Sequence, residues 1–98
     1  MEIIYKNKQL MKICTDFSYA VKKHGTKIAE KIHMRIDEIG AAENVELMIK
    51  YKIGGCHQLK HNRKNQYAMH VVHPYRIVFE VDGDKVQVAN IQEIVDYH

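Results

Sequence analysis

Leu10, Ile13, Cys14, Phe17 and Val21 recur at i, i+3, i+4, i+7 and i+11. That spacing lays one apolar stripe along an α-helix. Lys22 and Lys23 fall in the last turn of this segment, where cations suit the negative end of the dipole, and Gly25 reads as the residue just past its end. Thr26 is placed to cap a second helix that carries Ile28, Ile32, Ile36 and Ile39 on one face and stops near Gly40. The short connection predicts an antiparallel helix pair, with both stripes facing a core. Residues 41–50 add a helical turn, and Gly54-Gly55 closes the helical half. Glu2 to Tyr5 is compatible with either strand or loop.

From residue 66 onwards the apolar period changes from 3.6 to 2. Tyr67, Met69 and Val71 alternate with Ala68, His70 and Val72; Tyr75, Ile77, Phe79 and Val81 alternate with Arg76, Val78 and Glu80. Asp82-Gly83 is a two-residue hairpin signal. Taken literally, it pairs Phe79 with Val86 and Ile77 with Val88 on one face. Glu80 then lies opposite Lys85, and Arg76 opposite Ala89, on the other. The alternation slips between Ala89 and Ile91, which predicts a bulge or bend before the terminal strand resumes. The expected fold class is α+β: two N-terminal antiparallel helices packed on one face of a small twisted antiparallel sheet. Arg76 is thereby assigned to the face away from the core.

Ninety-eight residues, 46% of them hydrophobic, make a single domain, 1–98. No stretch approaches the ~20 apolar residues of a membrane span, and MEIIYKNKQL has no apolar signal core, so a cytoplasmic location and no membrane partner are expected. Cys14 and Cys56 form no spacing pattern, which suits a reducing compartment. The net charge of +3 is unevenly distributed. Between Leu47 and Phe79 there is no Asp or Glu, while Lys50, Lys52, Lys60, Arg63, Lys64 and Arg76 supply +6. The remaining nine Lys and Arg face all twelve Asp and Glu, giving −3. A basic middle on an otherwise acidic chain points to a polyanionic partner, because Lys and Arg neutralise phosphates and release counterions.

Three segments hold groups suited to phosphodiester chemistry: GGCHQLKHNRKNQY (54–67), HPYR (73–76) and the terminal DYH (96–98). Cleaving RNA through its own 2′-OH needs a base for that hydroxyl, an acid for the leaving 5′-oxygen and cations around the phosphorus. Histidine titrates near neutrality and suits either proton role. Arg and Lys hold phosphoryl oxygens, and a tyrosine stacks on an unpaired base or donates its proton. Taken singly, His57 reads as a solvated loop histidine, Arg63 and Lys64 as solubility charges, and His73 as a restricted pre-proline turn residue. A metal site from Cys56, His57 and His61 is disfavoured, because adjacent Cys and His are not a usual zinc-ligand pair. No cofactor is expected.

Cys56 to Arg63, QYAMHVVHPYRIVFE and EIVDYH together resemble HigB-type toxins of the RelE/ParE toxin–antitoxin superfamily. The resemblance covers residues 54–98, while residues 1–50 match only in size and helix layout. It implies a RelE-like fold of two helices against a twisted sheet. It also implies a small ribonuclease that enters the A site of the 70S ribosome and cuts mRNA during translation, arresting growth. A helix-turn-helix antitoxin would hold it inactive and alone contact operator DNA. Carried over by motif, the candidate catalytic residues are His57, Lys60, Arg76, Asp96, Tyr97 and His98. Lys50, Lys52, Arg63 and Lys64 are candidate phosphate contacts. The family loop commonly reads H-P-L-x-G-D-R, whereas here Gln58, His61 and Asn62 stand at the proline, glycine and aspartate positions. His61 is therefore a candidate to join or replace His57.

The expected function is a ribosome-dependent mRNA endonuclease, independent of metal, with His57, Asp96 and His98 sharing the acid–base work and Tyr97 stacking on or orienting the substrate. Which histidine is base and which is acid is left open by the residues. The rivals are a non-enzymatic ParE-like toxin that binds DNA gyrase, a plain RNA-binding module and a toxin-like chain that has lost activity.

Overall fold

The computed structural model describes residues 1–60, 63 and 65–96. The expectations placed on His61, Asn62, Lys64, Tyr97 and His98 therefore lie outside the described residues.

The first apolar stripe is divided between two helices, α1 (Lys8–Thr15) and α2 (Phe17–His24), and is not one continuous helix. Asp16 makes the break. Its backbone is extended, its N–H donates to the Lys12 carbonyl, and its Oδ1 accepts from the Tyr19 N–H at 3.1 Å. One residue thus ends α1 and caps α2. Leu10, Ile13 and Cys14 reach the core, but past the break the stripe rotates: Ala20 is buried and Phe17 is 43% exposed. Gly25 ends α2 as expected, with φ +86 and its N–H on the Val21 carbonyl at 2.8 Å. It also precedes α3 (Thr26–Ala41) directly, so Thr26 is the first helical residue and no side chain caps this helix, contrary to the capping role expected of Thr26. Ala29, Ile32, Ile36 and Ile39 form its buried face. A short α4 (Val45–Lys50) follows, capped by Asn44 through its Oδ1 to the Leu47 N–H at 2.8 Å.

The sheet has five strands: β1 (Glu2–Tyr5), β2 (His57–Gln58), β3 (Gln66–His70), β4 (Tyr75–Asp82) and β5 (Val88–Asp96), in the spatial order β1-β5-β4-β3-β2. All neighbours are antiparallel except β1 and β5, which run parallel. The expectation of a wholly antiparallel sheet is corrected at this edge. The intervening helices carry the chain across one face, and such a crossover lets two strands run in the same direction.

The hairpin register also differs from the literal two-residue turn. Phe79 pairs with Ile91, Val81 with Ala89 and Asp82 with Val88, so Gly83–Gln87 form the loop. Arg76 consequently lies opposite Val95 and not Ala89. Gln87 is the physical reason. It is buried, its Oε1 accepts from the Val45 N–H at 2.8 Å and its Nε2 donates to Glu46 at 2.9 Å, which fastens the loop to the start of α4. A two-residue turn would commit Gln87 to the ladder. Gly83 is still required, because at φ +95 a Cβ would run into the Val86 carbonyl.

The register shift between Val78 and Phe79 leaves Gln92 as the extra residue of β5, just beyond the stretch where the alternation slips. The bulge keeps Ile91 and Ile94 on one face. Met69, Ile77, Phe79, Val81, Ala89 and Ile91 thereby join Ile13, Ile32, Ile36 and Ile39 in one core between helices and sheet. No helix is long and apolar enough to cross a membrane among the described residues.

Candidate active site on the open face of the sheet

Strand pairing assigns the residues of the face away from the helices. One row runs His57, Ala68, Val78, Glu93 across four strands. A second row holds His70, Arg76 and Val95, and a third holds Gln66, Glu80 and Asn90. Ala68 and Val78 are fully buried yet do not belong to the helix-side core, so they form an apolar floor beneath polar neighbours. His57 and Arg76, more than a dozen positions apart in sequence, share this face on either side of β3.

The two imidazoles are neighbours. The His57 and His70 ring centroids are 6.3 Å apart at an interplanar angle of 38°. His57 Nδ1 lies 3.0 Å from the Gly55 carbonyl, a contact in which Nδ1–H donates and Nε2 is left for other partners. The glycine pair makes this packing possible. Gly54 and Gly55 adopt φ +58 and +67 in a 3₁₀ turn, and a Cβ on Gly55 would collide with the His70 ring. Arg35, from α3, donates its Nε to the His70 carbonyl at 2.7 Å and pairs with Glu38 at 2.7 Å. Desolvation lowers the pKa of His70, and the positive charges of Arg76, His57, Arg35 and His73 push it in the same direction.

Arg63 reaches this face from the β2–β3 connection. Its guanidinium bonds Glu93 at 2.9 Å and the Gln66 side chain at 3.0 Å, and Gln66 in turn donates to Glu80 at 3.4 Å. The acid-free basic stretch is therefore met in space by carboxylates from outside it: Glu93 at Arg63 and Glu80 beside Gln66. Composition shows none of this, because Arg63 meets Glu93 thirty positions away and Gln66 meets Glu80 across two strands.

Among the sequence-predicted residues, His57, Arg63 and Arg76 come together on the open face. Lys60 is exposed two residues beyond β2, and Lys50 and Lys52 are exposed at the end of α4 and in the turn that follows. Asp96 pairs with Tyr75, and alternation puts that pair on the helix side, opposite to Arg76 and Val95. Lys64, Tyr97 and His98 are outside the described residues. Cys56 is buried, and burial pushes its thiol up to about 11. The sequence reading missed His70, Glu93, Gln66 and Arg35. The signal for His70 was present: it alternates with Met69 and shares the parity of Ala68 on β3. Arg35 gave none, since it sits on a helix read only for its apolar stripe.

No family model matches the chain, and no curated sequence matches it significantly. Solved structures do. A YoeB/ParE toxin from Agrobacterium tumefaciens superposes over all of both chains with a TM-score of 0.64 at 15% identity. The YoeB–YefM complex from Staphylococcus aureus gives 0.63 at 23% identity, over all of this chain and 97% of that one. The YoeB dimer from Staphylococcus aureus gives 0.58 at 24% identity, with the same coverage. The chain has the fold of these YoeB-type toxin structures. At such identities it is the fold that is shared.

Proposed function

We propose that this protein is the toxin of a type II toxin–antitoxin system and acts as an endoribonuclease on mRNA in the ribosomal A site. The observation that carries this reading is the convergence of His57, His70 and Arg76 on one open sheet face, with Arg63 arriving from the loop. Two imidazoles supply proton transfer at neutral pH, and the guanidiniums supply charge for a pentavalent phosphorus. The HigB-like motifs favour cleavage through the 2′-OH. The likeness to toxin structures, one of them solved with YefM, favours neutralisation by a cognate antitoxin. The terminal Asp96, Tyr97 and His98 enter this proposal from their motif, and Lys50, Lys52, Lys60 and Lys64 as contacts to RNA. The cations at the cleavage site come from the protein itself.

The test is cleavage of mRNA on programmed ribosomes by purified protein, with an mRNA carrying 2′-deoxynucleotides at the cut codon as control. The expected result is cutting of the all-ribose message only, and far weaker cutting of the same RNA without ribosomes, because the ribosome holds the scissile phosphate in position. Intact messages together with poisoned DNA gyrase would establish the ParE-like rival instead.

A further inference from the structure

We propose that His70 is a second catalytic imidazole of the open face, taking the proton of the attacking 2′-hydroxyl while His57 faces the leaving oxygen. The inference rests on the ribonuclease reading and adds a residue that the motifs leave out.

Position is the first argument. His70 is exposed on β3, directly beside Arg76 in the ladder, and its ring stands 6.3 Å from that of His57. An in-line displacement places the attacking and leaving oxygens on opposite sides of phosphorus, so its base and acid must flank the phosphate. Two rings this close are both within reach of one phosphate, with Arg76 next to His70 in the ladder to take the charge.

Restraint is the second. The chain is shaped around this imidazole: Gly55 lies against the Cδ2–Nε2 edge of the ring, where any Cβ would collide. That leaves Nδ1 as the ring nitrogen turned away from the turn. Arg35 holds the His70 backbone through its carbonyl at 2.7 Å. Together these contacts fix where the His70 backbone and ring sit on the face.

Charge is the third. The groups facing His70 are His57 from β2, Arg76 from β4, Arg35 from α3 and His73 from the β3–β4 turn, and all act to lower its pKa. A lowered pKa keeps the ring neutral, with its lone pair available, to lower pH than an ordinary histidine.

The step balances. The 2′-OH proton passes to His70 Nδ1 as O2′ forms a bond to phosphorus. The P–O5′ bond breaks, and O5′ takes the proton of His57 Nε2–H. The products are a 2′,3′-cyclic phosphate and a 5′-hydroxyl, with His70 left protonated and His57 neutral. Exchange with solvent resets both.

The experiment is single-turnover cleavage of mRNA on programmed ribosomes, from mildly acidic to mildly alkaline pH, by wild type, His70→Gln, His70→Ala and Arg76→Ala, with circular dichroism as the folding control. His70→Gln is expected to slow cleavage by about 10²–10⁴-fold. It should also abolish the acid limb of the profile, where the wild-type rate rises with pH as His70 loses its proton. Added imidazole should restore His70→Ala in proportion to its unprotonated fraction, since the exposed site admits it. A His70→Gln protein at wild-type rate overturns the inference, as does a slow variant that keeps the acid limb while His70→Ala gains nothing from imidazole. If wild type leaves ribosome-bound mRNA intact, the ribonuclease reading falls and this inference with it. Active wild type, inactive Arg76→Ala and unimpaired His70→Gln would overturn the inference alone.

Discussion

Strand β4 contributes to two surfaces of opposite character. Toward the helices it presents Ile77, Phe79 and Val81, all buried in the main core. Away from them it presents Arg76, Val78 and Glu80, of which Val78 alone is fully buried. β3 repeats the contrast, with Met69 on one side and Gln66, Ala68 and His70 on the other. A pleat of period two thus divides labour residue by residue along one strand. Stability is expected to reside on one face and chemistry on the other, connected only through the backbone.

Substitutions can break that division or sharpen it. The largest stability effect is expected from Phe79→Ala, since Phe79 is fully buried and stacks on Tyr67 at 5.8 Å. A loss of about 3–5 kcal/mol should appear in denaturant unfolding. If the variant keeps wild-type stability, the helix-side face is not the core that holds the domain together.

Arg76→Ala should do the reverse. It is expected to lower ribosome-dependent cleavage by about 10²–10³-fold, the usual cost of removing one preorganised charge donor, and to leave the unfolding midpoint nearly unchanged. A collapse in melting temperature would make Arg76 a structural residue and merge the two faces. The smallest effect belongs to the Arg63–Glu93 pair, whose side chains are 39% and 42% exposed. Glu93→Gln should change stability by less than about 1 kcal/mol in urea titration, because water and salt screen such pairs. A larger loss would show the open face contributing to stability after all.

Much of the architecture was legible along the chain. The isoleucines of α3, the alternation of β3 and β4 and the slip in β5 all follow from apolar spacing, which depends only on local geometry. The same spacing assigned Arg76 to the correct face even though its partner was misjudged. Asp16 was not recognised as a break, because the apolar period continues on either side of it and a capping side chain declares itself only when its hydrogen bonds form.

The sequence by itself determined the helix-then-strand order beyond the first few residues, the two apolar faces and the identity of the groups able to move protons or hold phosphate. Tertiary structure alone decided four things: that β1 runs parallel to β5, that Gln87 lengthens the hairpin, that Asp96 falls on the helix side, and that His70 stands between His57 and Arg76 with Glu93 opposite Arg63. The physical reason is common to all four. Periodicity reports which way a side chain points from its own strand or helix, whereas partners, register and electrostatic company are set by chain segments brought together from far apart in sequence.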